Sequence, residues 1–191
     1  MLLLPALAAS HHFIRQAVKP GDVAVDATVG NGHDTCLLAE LVGPAGRVYG
    51  FDIQPLALSR AAERLAEKGL SGRVQLCPAG HERLKEHLPE ECRGNVRAVM
   101  FNLGYLPGSD KTVKTKAETT VSALAAALDV LAPGGIITVV IYTGHPEGKT
   151  EQEAVYEWAS RLDQRHVQVA VYQFLNQVGN PPSLLVIEKS L

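Results

Sequence analysis

Residues Val25 to Thr35 read VDATVGNGHDT, and the architecture of the chain follows from how that stretch is placed. Gly30 and Gly32 flank Asn31 just after an apolar run, and Asp26 and Asp34 stand on either side of the turn. Glycine tolerates positive φ and lets the backbone pass close to a ligand. A strand, a glycine turn and a helix in that order therefore form a nucleotide cradle. Several nucleotide ligands use such turns, and the surrounding residues discriminate among them.

Upstream, apolar positions recur every three or four residues from about Leu4 to Val18, until KPGD stops the pattern. A short buried strand covers Val23 to Ala27, and after the turn a helix opens at Asp34 or Thr35 and ends near Val42. RVYGFDI reads as the second strand, and QPLALSRAAERLAEKG as a helix with proline near its start and glycine after its end. RVQLC is a third strand, HERLKEHL a short helix and VRAVMFNL a fourth strand. A polar loop, GYLPGSDKTVKTK, leads to a helix from about Ala117 to Leu131. GGIITVVIY is a fifth strand, and TEQEAVYEWASRL a further helix. VQVAVYQF and SLLVIEK end the chain, joined by LNQVGNPP.

Alternating strands and helices predict right-handed βαβ units, with helices on both faces of a parallel sheet. The last two strands are joined by too few residues for a helical crossover, so they pair antiparallel. The expected class is α/β, a Rossmann-like doubly wound seven-stranded sheet with the last strand antiparallel, forming one domain over residues 1–191. With 191 residues and 46% hydrophobic content, the chain supports one core of ordinary size. Cys36, Cys77 and Cys92 share no CxxC spacing, and their odd number argues against a disulfide framework and for a reducing cytoplasm. MLLLPALAAS lacks a basic leading region and is interrupted by proline, so it reads as an amphipathic first helix rather than a signal peptide. No run approaches the ~20 apolar residues that span a membrane.

The turn's own residues narrow the ligand. A dinucleotide fingerprint asks for a third glycine where this chain has Thr35, and no GK[ST] follows to hold a phosphate donor. Asp26 and Asp34 would oppose a pyrophosphate at a helix N-terminus. Two carboxylates suit a ligand with an ammonium and a sulfonium but no phosphate. Asp52, ending the second strand, is placed to accept both ribose hydroxyl protons, or alternatively to cap the helix that begins near Gln54. Ile53 and Gln54 would lie beside the adenosine. Gly80 and His81 would lie near the adenine, with helix capping an equal reading for His81.

These features in this order resemble the class I S-adenosylmethionine-dependent methyltransferases. The resemblance covers essentially the whole chain: DATVGNG, Asp52, PAGHERL, NLGY after the fourth strand and LAPGG leading into the fifth. It implies S-adenosylmethionine as cofactor, S-adenosylhomocysteine as product, and no metal. His11, His12 and His33 form no ligand set, because adjacent histidines face different sides of a helix and no carboxylate or thiol completes them. His12 is instead the one placed over the cofactor cleft.

NLGY has the form of the N-P-P-Y signature of amine methyltransferases with both prolines replaced. The Asn102 oxygen can accept an amine hydrogen and so aim the nitrogen lone pair at the methyl group. Tyr105 either stacks on the ring bearing the amine or packs in the core of a tight turn. An aliphatic amine with a pKa near ~10.4 must lose a proton before attack, and Tyr142 or His145 could relay it. His145 reads equally well as an exposed loop histidine. Asp110 either attracts an ammonium substrate or caps the next helix. Lys111, Lys114 and Lys116 make a basic loop suited to RNA phosphates, or a solvated surface loop. Asn180, with Pro181 and Pro182, shapes the pocket wall, and either proline is a candidate for a cis bond.

DATVGNGHDT together with NLGYLPGSDK, IYTGHPEG and NPPSLLVIEK is similar to a narrower group, the small bacterial methylases typified by YtqB. These were first labelled rRNA methylases and are linked with tRNA wobble-uridine modification under the name MnmM. The likeness runs from about Ser10 to Lys189. It implies methylation of the aminomethyl group of 5-aminomethyl-2-thiouridine at the wobble position. Asn31, Asp34, Asp52, Gln54 and His81 would serve the cofactor. Asn102, Tyr105, Asp110, Lys111, Tyr142 and His145 would serve the substrate. Ser109 departs from the glycine expected there. A net charge of −2 provides no global attraction for nucleic acid. With no appended RNA-binding domain visible, recognition is expected to be confined to the tRNA anticodon arm or shared across a homodimer. The competing readings are methylation of rRNA or of a small-molecule amine, an NAD-dependent oxidoreductase, and a catalytically silent cofactor-binding protein.

Overall fold

In the computed structural model, which describes residues 2–104, 115–144 and 146–191, the strands assemble in the order β3-β2-β1-β4-β5-β7-β6. They are β1 Val23–Asp26, β2 Arg47–Phe51, β3 Val74–Cys77, β4 Val96–Leu103, β5 Leu131–Ile141, β6 Val167–Tyr172 and β7 Ser183–Lys189. The first five pair in parallel. β7 inserts antiparallel between β5 and β6. The short connection after β6 therefore closes a hairpin, as its length requires.

The strand pleat sorts side chains between two cores. On one face Ala24, Ala98, Met100, Ile136 and Val140 meet α1 Ala6–Ala17, α2 His33–Val42 and α3 Pro55–Glu67. On the other, Val25, Val99, Phe101, Leu103 and Ile137 meet α4 Leu84–His87, α5 Ala117–Val130 and α6 Pro146–Ser160. Burial on both faces explains why β4 and β5 read as near-continuous apolar runs. Phe101, Leu103 and Ile141 are almost wholly enclosed. Side chains of this size each stabilise the fold by about 1.5–3 kcal/mol. All three cysteines are buried free thiols. No helix among the described residues is long and apolar enough to cross a membrane.

Several boundaries differ from the sequence reading; β2, for one, ends at Phe51 rather than Ile53. β5 begins at Leu131 rather than Gly134, because a register shift between Val96 and Ala98 of β4 lets the APGG segment run alongside its neighbour as a bulge. α6 begins at Pro146 rather than Thr150, since its first turn is polar and carries no apolar period. β6 ends at Tyr172, two residues early. Neither Pro181 nor Pro182 follows a cis bond, and no peptide is cis among the described residues.

Strand order reverses between β1 and β4. In open α/β sheets the crevice at such a point, beyond the carboxyl ends of the strands, receives the ligand.

Candidate active site

A cleft of about 920 Å³ opens there. The turn after β1, the ends of β2 and β3, and α1 line one part of it. Asn102 to Gly104, Tyr142 and Asn180 line the other. Gly30 holds φ at +52°, and its N–H donates to Oδ2 of Asp52 at 2.9 Å. The Gln54 N–H donates to Oδ1 of the same carboxylate, also at 2.9 Å. Two backbone donors thus aim Asp52 while each oxygen keeps a lone pair for another partner. The alternative of helix capping is partly realised through Gln54, and it is this bond that fixes the carboxylate toward the cleft.

Asn31 is braced from α3. Arg64 Nε donates to its carbonyl at 2.8 Å and Arg60 Nη1 to its side-chain oxygen at 3.2 Å. Gly32 lines no part of the cleft, contrary to its expected contact with the ligand. Its φ is +78° and an added Cβ would lie 2.8 Å from the Ala61 Cα, so this glycine exists to let α2 approach α3. Asp26 and Thr35 are likewise turned away from the cleft. Asp26 is buried, and its two oxygens accept from the Thr28 N–H at 3.1 Å and the Thr35 hydroxyl at 2.5 Å. Burial, and then the nearby charge of Asp34, push its carboxyl up to about 7. Asp26 and Thr35 tie the turn to the strand and line no part of the cleft.

Asp34 does face the cleft from the first turn of α2. Its Oδ1 lies 2.7 Å from His11 Nε2, and Asn102 Nδ2 donates to its Oδ2 over a long 3.5 Å. Asn102 is set by β4, and its N–H donates to the Thr28 hydroxyl at 2.7 Å, which pins the end of β4 to the turn after β1. Tyr142 flanks the same space, 39% exposed. Partial burial, and then Asp34, raise its phenol above the ordinary value. His81 is buried with its Nδ1 3.2 Å from the Ala27 carbonyl, and burial lowers its pKa, which keeps the ring neutral. It stacks obliquely on Phe101 at 5.7 Å while still bordering the cleft. Gly80, Gln54 and Asn180 border it too.

His11, not His12, reaches the cleft: His12 is exposed and packs edge-on against Phe13. The helical period contained this result, because Leu7, His11 and Ile14 share a face. Thr28, Thr115, Lys116, Thr119 and Glu82 also line the cleft without having been singled out for it, apart from Lys116 in the basic loop. Tyr105, Asp110, Lys111, Lys114 and His145 lie outside the described residues.

The donor set suits a cationic nucleoside and not a pyrophosphate. Asp52 offers paired acceptors to a diol, while Asp34 and Asp52 leave the floor negative. Ile53 and Ala79 add apolar surface. Among the described residues no group of acidic, histidine or cysteine side chains could hold a metal ion. A seven-stranded sheet with β7 reversed, and a carboxylate-ringed cleft at the β1–β4 switch, define the class I S-adenosylmethionine-dependent methyltransferase fold.

Comparison with known proteins agrees and goes one step further. The chain belongs to the family described as "Putative rRNA methylase", whose sequence model matches residues 48–188. It is 39% identical to the Arabidopsis thaliana "tRNA (mnm(5)s(2)U34)-methyltransferase, chloroplastic" over an alignment spanning 94% of this chain and 68% of the plant protein. A "putative rRNA-methylase" from Clostridium thermocellum superposes with a TM-score of 0.95 at 46% identity, covering 99% of this chain and all of that one. A Streptococcus mutans protein described as a "putative methyltransferase", in complex with SAH, superposes at 0.89 with 38% identity, covering 98% and 99% of the two chains.

Proposed function

We propose that this chain is an S-adenosylmethionine-dependent tRNA methyltransferase that N-methylates the aminomethyl group of 5-aminomethyl-2-thiouridine at the wobble position. The observation that carries the reading is Asn102, presented at the end of β4 into a cleft whose floor holds Asp34 and Asp52. A side-chain amide beside carboxylates is what an amine acceptor asks of its site. The 39% identity to the plant protein, whose name carries the methylated nucleoside this transfer would yield, supports the choice of nucleoside.

The bound cofactor supplies a methyl group on a sulfonium, activated for in-line displacement. The protein's part is positioning. Asp52 would accept from the ribose hydroxyls, and the negative floor at Asp34 would attract the cationic end of the ligand. With Nδ2 donating to Asp34, the Asn102 oxygen is left to accept a hydrogen from the amine and fix its lone pair. Tyr142 flanks the acceptor side of the cleft. Burial of the ammonium beside a positive sulfonium lowers its pKa, so that it gives its proton to solvent before the neutral amine attacks. The wobble base, single-stranded in the anticodon arm, can be splayed out to reach this depth.

The test is methyl transfer to tRNA carrying 5-aminomethyl-2-thiouridine, read by nucleoside mass spectrometry. Formation of the 5-methylaminomethyl nucleoside supports the proposal. Transfer to rRNA or to a free amine, with that tRNA left untouched, overturns it.

A further inference from the structure

We infer that His11 is a positioning residue for the acceptor amine, acting through Asp34 on the side-chain amide of Asn102. This rests on the methyl-transfer reading above and adds to it a residue on a helix that precedes the nucleotide-binding turn. α1 is not free to slide. Its Ala6, Ala9 and Ile14 are buried against the sheet, and the Ser10 hydroxyl, fully buried, donates to Thr138 Oγ1 of β5 at 2.9 Å. One residue further round the helix, His11 is thereby aimed at the cleft. It is 30% exposed at its side chain, whereas its partner Asp34 is 8% exposed.

The chain of contacts has a direction. A carboxylate only accepts, so the hydrogen of the 2.7 Å contact lies on His11 Nε2. That bond occupies one oxygen of Asp34 and turns the other toward Asn102 Nδ2. An asparagine amide has one donating and one accepting end. Holding the donating end at Asp34 leaves the accepting end for the amine, the orientation in-line attack requires. The groups that face Asp34 are His11 from α1, Asp26 at the end of β1, Asn102 from β4 and Tyr142 after β5. Asp26 is the other carboxyl, and it is sealed beneath the turn by Thr28 and Thr35. Without the His11 donor nothing holds the cleft-facing orientation of Asp34, and Asn102 loses what fixes its flip.

The experiment compares His11→Ala, His11→Gln and His12→Ala with the unaltered protein. Glutamine places an N–H donor near the position of Nε2. His12 is exposed and lies outside the cleft. On tRNA carrying 5-aminomethyl-2-thiouridine, His11→Ala lowers kcat by about tenfold or more, the scale of lost alignment. Its affinity for S-adenosylhomocysteine stays within about threefold, His11→Gln recovers most of kcat, and His12→Ala is unchanged. A second readout does not depend on the acceptor. The Asn102 side-chain amide signals in a ¹⁵N–¹H spectrum, assigned by their loss in Asn102→Ala, shift in His11→Ala and return in His11→Gln. If the unaltered protein leaves this tRNA unmethylated, the substrate reading fails while the amide signals still decide the role of His11. Unmoved signals, an unchanged kcat in His11→Ala, or no recovery in His11→Gln each overturn the inference.

Discussion

Asp52→Ala tests the cofactor half of the site most directly. The carboxylate is held by the N–H groups of Gly30 and Gln54, each at 2.9 Å, so its orientation exists before any ligand arrives. Two ribose hydroxyls donating to it would form charge-assisted hydrogen bonds worth about 1.5–3 kcal/mol each. Losing both costs about 3–6 kcal/mol, or roughly a 10²- to 10⁴-fold rise in Kd for S-adenosylhomocysteine. Folding suffers less, because the two freed N–H groups border an open cleft and can bond water. Their loss costs about 1–2 kcal/mol at most. Titration calorimetry reads the affinity and thermal denaturation confirms that the variant is folded. Asp52→Asn, which keeps the shape and one acceptor, falls between the two. A folded Asp52→Ala protein that binds within about threefold of the unaltered chain would refute the assignment of this carboxylate to the ribose.

Asn102→Ala should lower turnover on the tRNA by about 10²-fold while leaving the affinity for S-adenosylhomocysteine nearly intact, a split seen by comparing kinetics with calorimetry. Gly32→Ala should destabilise the protein by about 2–5 kcal/mol in urea denaturation. It combines a left-handed backbone, costing about 1–2 kcal/mol, with a methyl group driven against the Ala61 backbone, costing about 1–3 kcal/mol. Asp26 titrates near 7 in the folded chain against 3.8 unfolded. The native state therefore holds an extra proton, and this contribution to stability is full below about pH 4 and is lost as pH rises through 7. Asp26→Asn should remove that slope, so the unaltered protein loses stability relative to the variant between pH 4 and 8 when both are denatured in urea. Parallel curves for the two proteins would mean that Asp26 is ionised throughout.

Much of this protein was determined within short windows of sequence. The period of apolar residues separates strands from helices. The eight-residue, mostly apolar stretch of β4, Val96–Leu103, announces burial on both faces, and the few residues between β6 and β7 permit only an antiparallel return. The place of Asp52 after an apolar run, and of the glycines after another, also needed no coordinates. These properties are local: each depends on dihedral preference, side-chain period or loop length over a handful of residues.

What the tertiary structure alone decided is which of those residues meet. Thr28 and Asn102 lie 74 positions apart and touch because β1 and β4 are neighbours in the sheet. Asp26 and Asp34 read alike beside the turn, yet one is sealed beneath it by Thr35 and the other opens on the cleft beside a histidine from α1. Of two adjacent histidines, a buried Ser10–Thr138 bond selects the first. Such outcomes depend on the packing of elements distant in the chain, where a rotation of one helix by a single residue exchanges the inward face for the outward one. Local pattern sets what each segment is, and only the assembled core sets what it faces.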